Sequence, residues 1–407
     1  MTFGVELKEG MKLSIAALMA NKARAVLTML GIIIGIVSVT LMGSAIEGLN
    51  KAFNSSISSI GADVLYVQKW PWLSHGLWWK YRDRRRMHVY YAGEISKQAT
   101  LLSAVAPMVQ RLGTIKYKNR TAENVQVEGT TSAYAYVASM NFQQGRFFTD
   151  VESRGNMPVA VIGSDVANQL FPNGHPIGMQ LKIDGLPFRV IGVRSKQGSF
   201  MGMFSLDNEV IIPINQFRDI YGRHFFPSIE CRVMNQKQMS NAQAELEGIM
   251  RKIRGLSPFQ QDDFSINQES MLTDAFDKIA RVIGAVGIFI TALSLFVGGI
   301  GIMNIMFVSV TERTKEIGVR KALGAKRRTI LVQFLIESTL ICLGGGLIGL
   351  GLSYPLSMLV DKFLPTSMPI SIALIGIIIS LFVGVISGLV PAMRASKLDP
   401  VVALRYE

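Results

Sequence analysis

Four stretches of this chain are long enough to cross a lipid bilayer and are almost free of charge. Residues 26–46 read VLTMLGIIIGIVSVTLMGSAI, without one ionisable side chain. Residues 282–308 and 371–393 are likewise uncharged, and residues 330–352 are interrupted only by Glu337. About 20 apolar residues cross the hydrocarbon core of a membrane as a helix. No water is present there to satisfy the backbone, so such runs must bond internally as helices. The sequence therefore predicts four spans, at 26–47, 282–308, 330–355 and 371–393. The first is too long for a cleaved leader and lacks its small-residue cleavage site, so it reads as a signal anchor.

The chain is 49% hydrophobic and only 17% charged, with a net charge of +13. Taken alone, that charge suggests nucleic acid. Its placement argues against it. Lys8, Lys12, Lys22 and Arg24 surround the start of the first run, and Arg394, Lys397 and Arg405 follow the last. Arg313, Lys315, Arg320, Lys321, Lys326, Arg327 and Arg328 fill the short segment 309–329. Short loops rich in Lys and Arg stay on the cytoplasmic side. This predicts a multi-pass protein of the bacterial inner membrane with both termini and 309–329 in the cytoplasm and 48–281 outside. No nucleic-acid partner is expected.

Within residues 1–25, Leu7, Met11, Ile15 and Leu18 share one helical face. An interfacial amphipathic helix and a helix packed on the bundle both fit that pattern. Residues 344–349 match G-x-G-x-x-G, but inside an apolar run with no preceding strand. Small residues that let helices approach closely are the better account. Glu337, a carboxylate within a span, is a functional candidate by default. A neutral form, or pairing near the interface, fits it as well. Asn304 is expected to donate a hydrogen bond between helices. Cys231 and Cys342 lie in a polar region and an apolar run, so no disulfide is expected between them.

Residues 48–281 read as a mixed α/β domain of two lobes. Strand patterns occur at 63–68, 158–162, 209–214 and 229–233, and 180–183 with 187–193 flank the hairpin signal Asp184-Gly185. Helices are expected at 93–102, at 164–170 with Ser164 as N-cap, and at 238–254. Residues 69–91 gather all four tryptophans of the chain among six basic residues. Trp70, Trp72, Trp78 and Trp79 with Arg84, Arg85 and Arg86 fit contact with a partner or with lipid headgroups, or a surface loop. The four histidines have no metal-ligand spacing, and neither G-x-S-x-G nor G-x-x-x-x-G-K-[ST] occurs. No catalytic residues are assigned, and no metal or cofactor is expected on this chain.

Where the second apolar run meets charge, residues 303–325 read MNIMFVSVTERTKEIGVRKALGA. Arg313, Glu316 and Arg320 fall on one helical face, with Val319 and Leu323 a turn apart on another. A basic cytoplasmic loop and a docking segment both fit.

With those residues in view, the chain resembles the MacB/FtsX-like superfamily of ABC transporter permeases, most closely its MacB-type branch. Residues 21–39 look like the opening span; 144–152, 159–172 and 177–193 look like the periplasmic core domain. The most specific segments are 298–325 and 389–407, and the resemblance covers nearly the whole chain. It implies an α-helical membrane protein with four transmembrane helices and a large extracytoplasmic α/β domain between helices 1 and 2. It also implies stalk helices near 43–59 and 269–283, a second permease chain, and an ABC ATPase (nucleotide-binding) subunit docked on a coupling helix near 312–325. Glu312, Arg313, Lys315, Glu316, Gly318, Arg320, Lys321 and Gly324 would belong to that coupling segment, with Ile317, Val319 and Leu323 filling the ATPase groove. MacB carries its ATPase on its own chain and this sequence does not, so ATP and Mg would act on a separate subunit. The implied function is export or efflux by mechanotransmission, with a periplasmic adaptor and an outer-membrane channel as further partners. Control of cell-wall hydrolases, as in FtsX-type relatives, and lipoprotein extraction, as in Lol-type relatives, are the alternatives. The tryptophan-rich stretch matches no motif of the family.

Overall fold

The computed structural model describes residues 22–57, 61–73, 76, 78–172, 174–200, 204–223, 225–362 and 366–404. The amphipathic pattern expected before residue 22, and His75 and His224, lie outside the described residues. The chain forms two compact units, one of residues 52–277 and one of residues 1–51 with 278–407. Helix α1 (Lys22–Ile57) contributes to both.

The inserted unit is built on one ten-stranded mixed sheet. Its elements follow in chain order: β1 (Val64–Gln68), α2 (Trp78–Arg82), α3 (Tyr91–Gln98), β2 (Leu102–Tyr117), β3 (Arg120–Thr130), α4 (Tyr134–Val137), β4 (Phe142–Gly145), α5 (Asp150–Arg154), β5 (Val159–Ile162), α6 (Ser164–Leu170), β6 (Gln180–Ile183), β7 (Leu186–Arg194), the short pair β8 (Ser199–Phe200) and β9 (Phe204–Ser205), β10 (Glu209–Pro213), α7 (Ile214–Tyr221), β11 (Ser228–Val233), α8 (Met239–Arg254) and β12 (Ser265–Gln268). The strand order is β12-β1-β11-β2-β3-β10-β5-β7-β4, with β6 paired to β2 and β7. Only β3–β10 and β5–β7 are parallel.

Alternation of side chains across the sheet separates its two faces. One face carries two apolar clusters, which answer to the two lobes expected. Val127, Ile162, Val210 and Ile212 pack under α6 and α7; Leu65, Val67, Ile229 and Cys231 pack under α3 and α8. The other face is covered by α4 and by Phe147 and Phe148, over Ala106, Met108, Val161 and Ile211. The Asp184-Gly185 turn closes β6–β7 as its sequence demands, with both residues at positive φ.

Two local expectations are corrected. The helix expected at 93–102 runs instead from Tyr91 to Gln98, because Leu102 already belongs to β2. Ser164 does not cap α6; Gly163 occupies that position without a side-chain bond, and Ser164 is buried inside the first turn.

Phe53 of α1 stacks on Phe276 of α9 (Glu269–Glu312), with ring centroids 4.2 Å apart and planes 8° from parallel. These two residues stand near the two ends of the inserted unit.

The second unit is a helix bundle. To α1 and α9 it adds α10 (Thr314–Ala322), α11 (Arg327–Val360), α12 (Ile370–Lys397) and α13 (Pro400–Leu404). Four helices, α1, α9, α11 and α12, are long and apolar enough to cross a membrane. Ile32, Ile36, Ile302, Met306, Phe334 and Ile341 form the centre of the bundle core. Glycines set the closest approaches. A Cβ on Gly31 would lie 2.8 Å from the backbone of Gly298, so those helices touch main chain to main chain. Ser338 Oγ, beside Gly388, donates to the Gly384 carbonyl at 2.9 Å and ties α11 to α12. Asn304 is exposed on α9 and makes no such cross-helix bond among the described residues.

Candidate docking site on a short helix

Helix α10 follows α9 after a break at Arg313, whose φ of −104° and ψ of 14° are not helical. Thr314 is buried and its Oγ1 donates back to the Val310 carbonyl at 3.0 Å, securing the corner. Gly324 ends the segment at φ +95°, a conformation that favours glycine, and its N–H donates to the Lys321 carbonyl. The chain then turns into α11.

Three anchors hold α10 to the bundle. Ile317 is 4% exposed and belongs to the bundle core, with Gly318 buried beside it. Lys321 Nζ donates to the carbonyls of Ser396, at 2.9 Å, and Leu398. Arg320 donates to Gln333 Oε1 at 2.9 Å and Glu316 Oε1 at 2.6 Å. Arg313 does not join Glu316 and Arg320 as the helical register suggested. It turns inward, and its Nη1 donates to Glu337 Oε1 at 3.3 Å. The intramembrane carboxylate is therefore paired, one of the two readings left open above.

What remains outward is Val319, 43% exposed, and Leu323, 83% exposed, with Glu312, Lys315 and Glu316. Helix α13 packs against α10 and adds the exposed Val401 and Val402. An exposed apolar pair among charges, on a helix fixed by buried anchors, suits docking of a groove-bearing partner. Ile317 is taken up by the fold and is not available to such a groove.

The aromatic stretch is bound into the inserted unit rather than left as a free loop. Arg84 donates to the Lys69 carbonyl and to Ser265 Oγ, and Arg85 to Asp263 at 2.6 Å. The Trp72 indole N–H donates to Gln68 at 3.0 Å, and its ring lies 4.9 Å from Tyr66. Trp70 packs on Phe226, over which Arg86 also sits. Trp79 is 59% exposed; the side chain of Trp78 is outside the described residues.

Residues 25–249 match the MacB-like periplasmic core domain, and residues 288–400 the FtsX-like permease C-terminal domain. Over 409 residues the chain is 31% identical to the uncharacterized ABC transporter permease YknZ of Bacillus subtilis, covering 99% of this chain and 100% of that one. The chain belongs to the MacB-like family of ABC permeases. It is also 36% identical over 406 residues to the macrolide export ATP-binding/permease protein MacB of Bdellovibrio bacteriovorus, covering 99% of this chain. It spans 62% of that relative's length. The solved periplasmic region of MacB from Actinobacillus actinomycetemcomitans aligns with 54% of this chain and 95% of its own, at a TM-score of 0.45 and 20% identity.

This MacB-like permease also holds a group of acids that its sequence does not announce. Glu128 on β3, Glu209 on β10 and Glu230 on β11 are each buried. Arg194 of β7 donates to Glu209 at 2.7 Å. Glu128 accepts one bond from Gln126 at 2.7 Å, while its Oε2 has no partner. Burial, then the nearby Glu209 charge, pushes Glu128 up to about 8. Burial pushes Glu230 up to about 8, against the pull of Arg194. Each acid sits on a different strand, so nothing in linear spacing joins them. The one available signal is a glutamate wedged into an apolar run, as in Ile229-Glu230-Cys231.

Proposed function

We propose that this chain is the permease subunit of an ABC transporter that couples ATP hydrolysis on a separate nucleotide-binding subunit to a change in the inserted domain. The exported cargo would be a small molecule, an antibiotic or a peptide. The relative from Bdellovibrio bacteriovorus bears the name of a macrolide exporter, which supports export over the other activities of this family. ATP and Mg act on the partner. The permease works as a pair of chains, with the inserted domain extracytoplasmic and α10 on the cytoplasmic side. An adaptor and an outer-membrane channel complete the path where an outer membrane exists.

One observation carries this reading. Helix α10 and its C-cap divide their apolar residues, with Ile317 buried for anchorage and Leu323 left at 83% exposure. A helix held this firmly transmits force instead of yielding to it. Helices α1 and α9 contribute residues to both units and would carry the motion. The ligand of the partner shifts the equilibrium only as far as it binds one state better.

The test is ATP turnover by the cognate ATPase reconstituted with the full permease. Leu323→Asp is expected to remove permease-dependent stimulation while the permease still inserts and purifies as wild type. Stimulation that survives both Leu323→Asp and Val319→Asp would sink the docking assignment.

A further inference from the structure

A cavity of about 690 Å³ opens on the face of the sheet that carries the buried acids. Its walls include Tyr66, Glu128, Tyr134, Arg194, Glu209 and Glu230, all within the inserted unit. Charges inside it do not balance. Arg194 is engaged by Glu209, and Arg232 by Asp63 at 2.7 Å. That leaves Glu128 and Glu230 without a counter-charge. Glu230 is 9% exposed and lines the cavity, and the buried Glu128 Oε2 has no partner. A buried carboxylate without a partner is costly. An acid placed so keeps its proton until a positive charge takes the proton's place, and this cavity holds two.

We propose that this cavity binds a linear organic diamine, its two ammonium groups donating to Glu128 and Glu230. Charge count selects two positive centres on one ligand. A divalent metal is disfavoured, because no described group of three acids, histidines or cysteines has ligand geometry. Ammonium groups need only hydrogen-bond acceptors, and the orphaned oxygens are acceptors. The rings of Tyr66 and Tyr134 and the side chain of Val137 give the methylene spacer an apolar wall and the cations a π face. Both acids being held near 8 by burial is what a carboxylate pair without its counter-ion displays. This inference concerns a binding equilibrium and stands whether or not the bound amine is cargo.

The experiment is calorimetric titration of the purified full chain with putrescine, and with butylamine as the single-charge control. Putrescine should bind saturably at one site per chain and at least about tenfold more tightly than butylamine, the worth of one charge-assisted hydrogen bond. Glu230→Gln and Glu128→Gln should each erase that preference. Asn141→Lys, at an exposed position on the rim, places a tethered ammonium at the mouth and should weaken putrescine without touching the interior. All four tryptophans lie in this unit, so unchanged intrinsic fluorescence certifies the fold of each variant. Equal affinity for the two amines, retention of the preference in both glutamine variants, or displacement of putrescine by equimolar magnesium would overturn the proposal.

Discussion

Arg313 reaches from the start of α10 to Glu337, buried about three turns into α11, with Nη1 3.3 Å from Oε1. Side-chain exposures are 17% for the arginine and 1% for the glutamate. Removing one member of such a pair strands a buried charge, at a cost of about 3–5 kcal/mol. Arg313→Glu, which opposes two carboxylates, should therefore lower the thermal midpoint of the purified permease. Arg313→Glu with Glu337→Arg should recover part of the loss. Unaltered unfolding of the single variant would show the pair to be incidental. Arg313 is accordingly a poor site for testing docking, since its loss damages the fold first.

Ile317 on α10 and Leu323 at its C-cap should behave oppositely. Ile317→Ala empties part of the bundle core and should destabilise by about 2–5 kcal/mol. Leu323→Ala, at an exposed position, should stay within about 0.5 kcal/mol of wild type. Thermal unfolding in a single detergent measures both. Equal losses at the two positions would mean that α10 packs on its other face.

Stability of the inserted unit should fall as pH rises from 5.5 to 8.5. Glu128 and Glu230 titrate near 4.5 when unfolded and about 8 when folded. The folded unit thus binds more protons between those values, and its advantage is lost as pH passes through 8. Glu152 works in the other direction. Its bond from Arg146 holds it down at about 2, so its contribution is lost only below 4.5. Tryptophan fluorescence during heating follows this unit alone. A midpoint that climbs over the same interval would contradict the assignment, and Glu230→Gln should shrink the slope.

Asp263 fastens the aromatic stretch. Its Oδ2 accepts from Arg85 Nε at 2.6 Å and Arg254 Nη1 at 3.1 Å, and the Arg254 side chain is fully buried. Asp263→Ala should cost about 3–5 kcal/mol by leaving that guanidinium without its carboxylate. A red-shifted tryptophan emission before global unfolding should accompany it. An unchanged emission maximum and midpoint would show that residues 69–91 are held by other means.

The four membrane helices were legible because absence of charge over such lengths has few other causes. The Asp184-Gly185 hairpin was legible for a similarly local reason. The long β2–β3 hairpin was not. Pro107 sits inside β2, and the turn has no glycine, with Lys118 taking the positive φ of 50° instead. The charged and apolar residues around α10 were picked out by pattern, but their division into buried and free was not. Helical spacing places Ile317 and Val319 two positions apart without saying which one faces the bundle. Glu337 finds Arg313 across 24 residues of chain, and the acids at 128, 209 and 230 meet only through strand order. Those relationships exist in space and have no counterpart in adjacency.

The face-to-face rings of Phe53 and Phe276 bring the beginning and end of the inserted unit to one spot. A module whose ends meet can be enlarged, trimmed or replaced without rerouting the helices that bear it. Evolution can then vary the module while leaving the helices beneath it alone, and an engineer could exchange the whole of it through that single doorway.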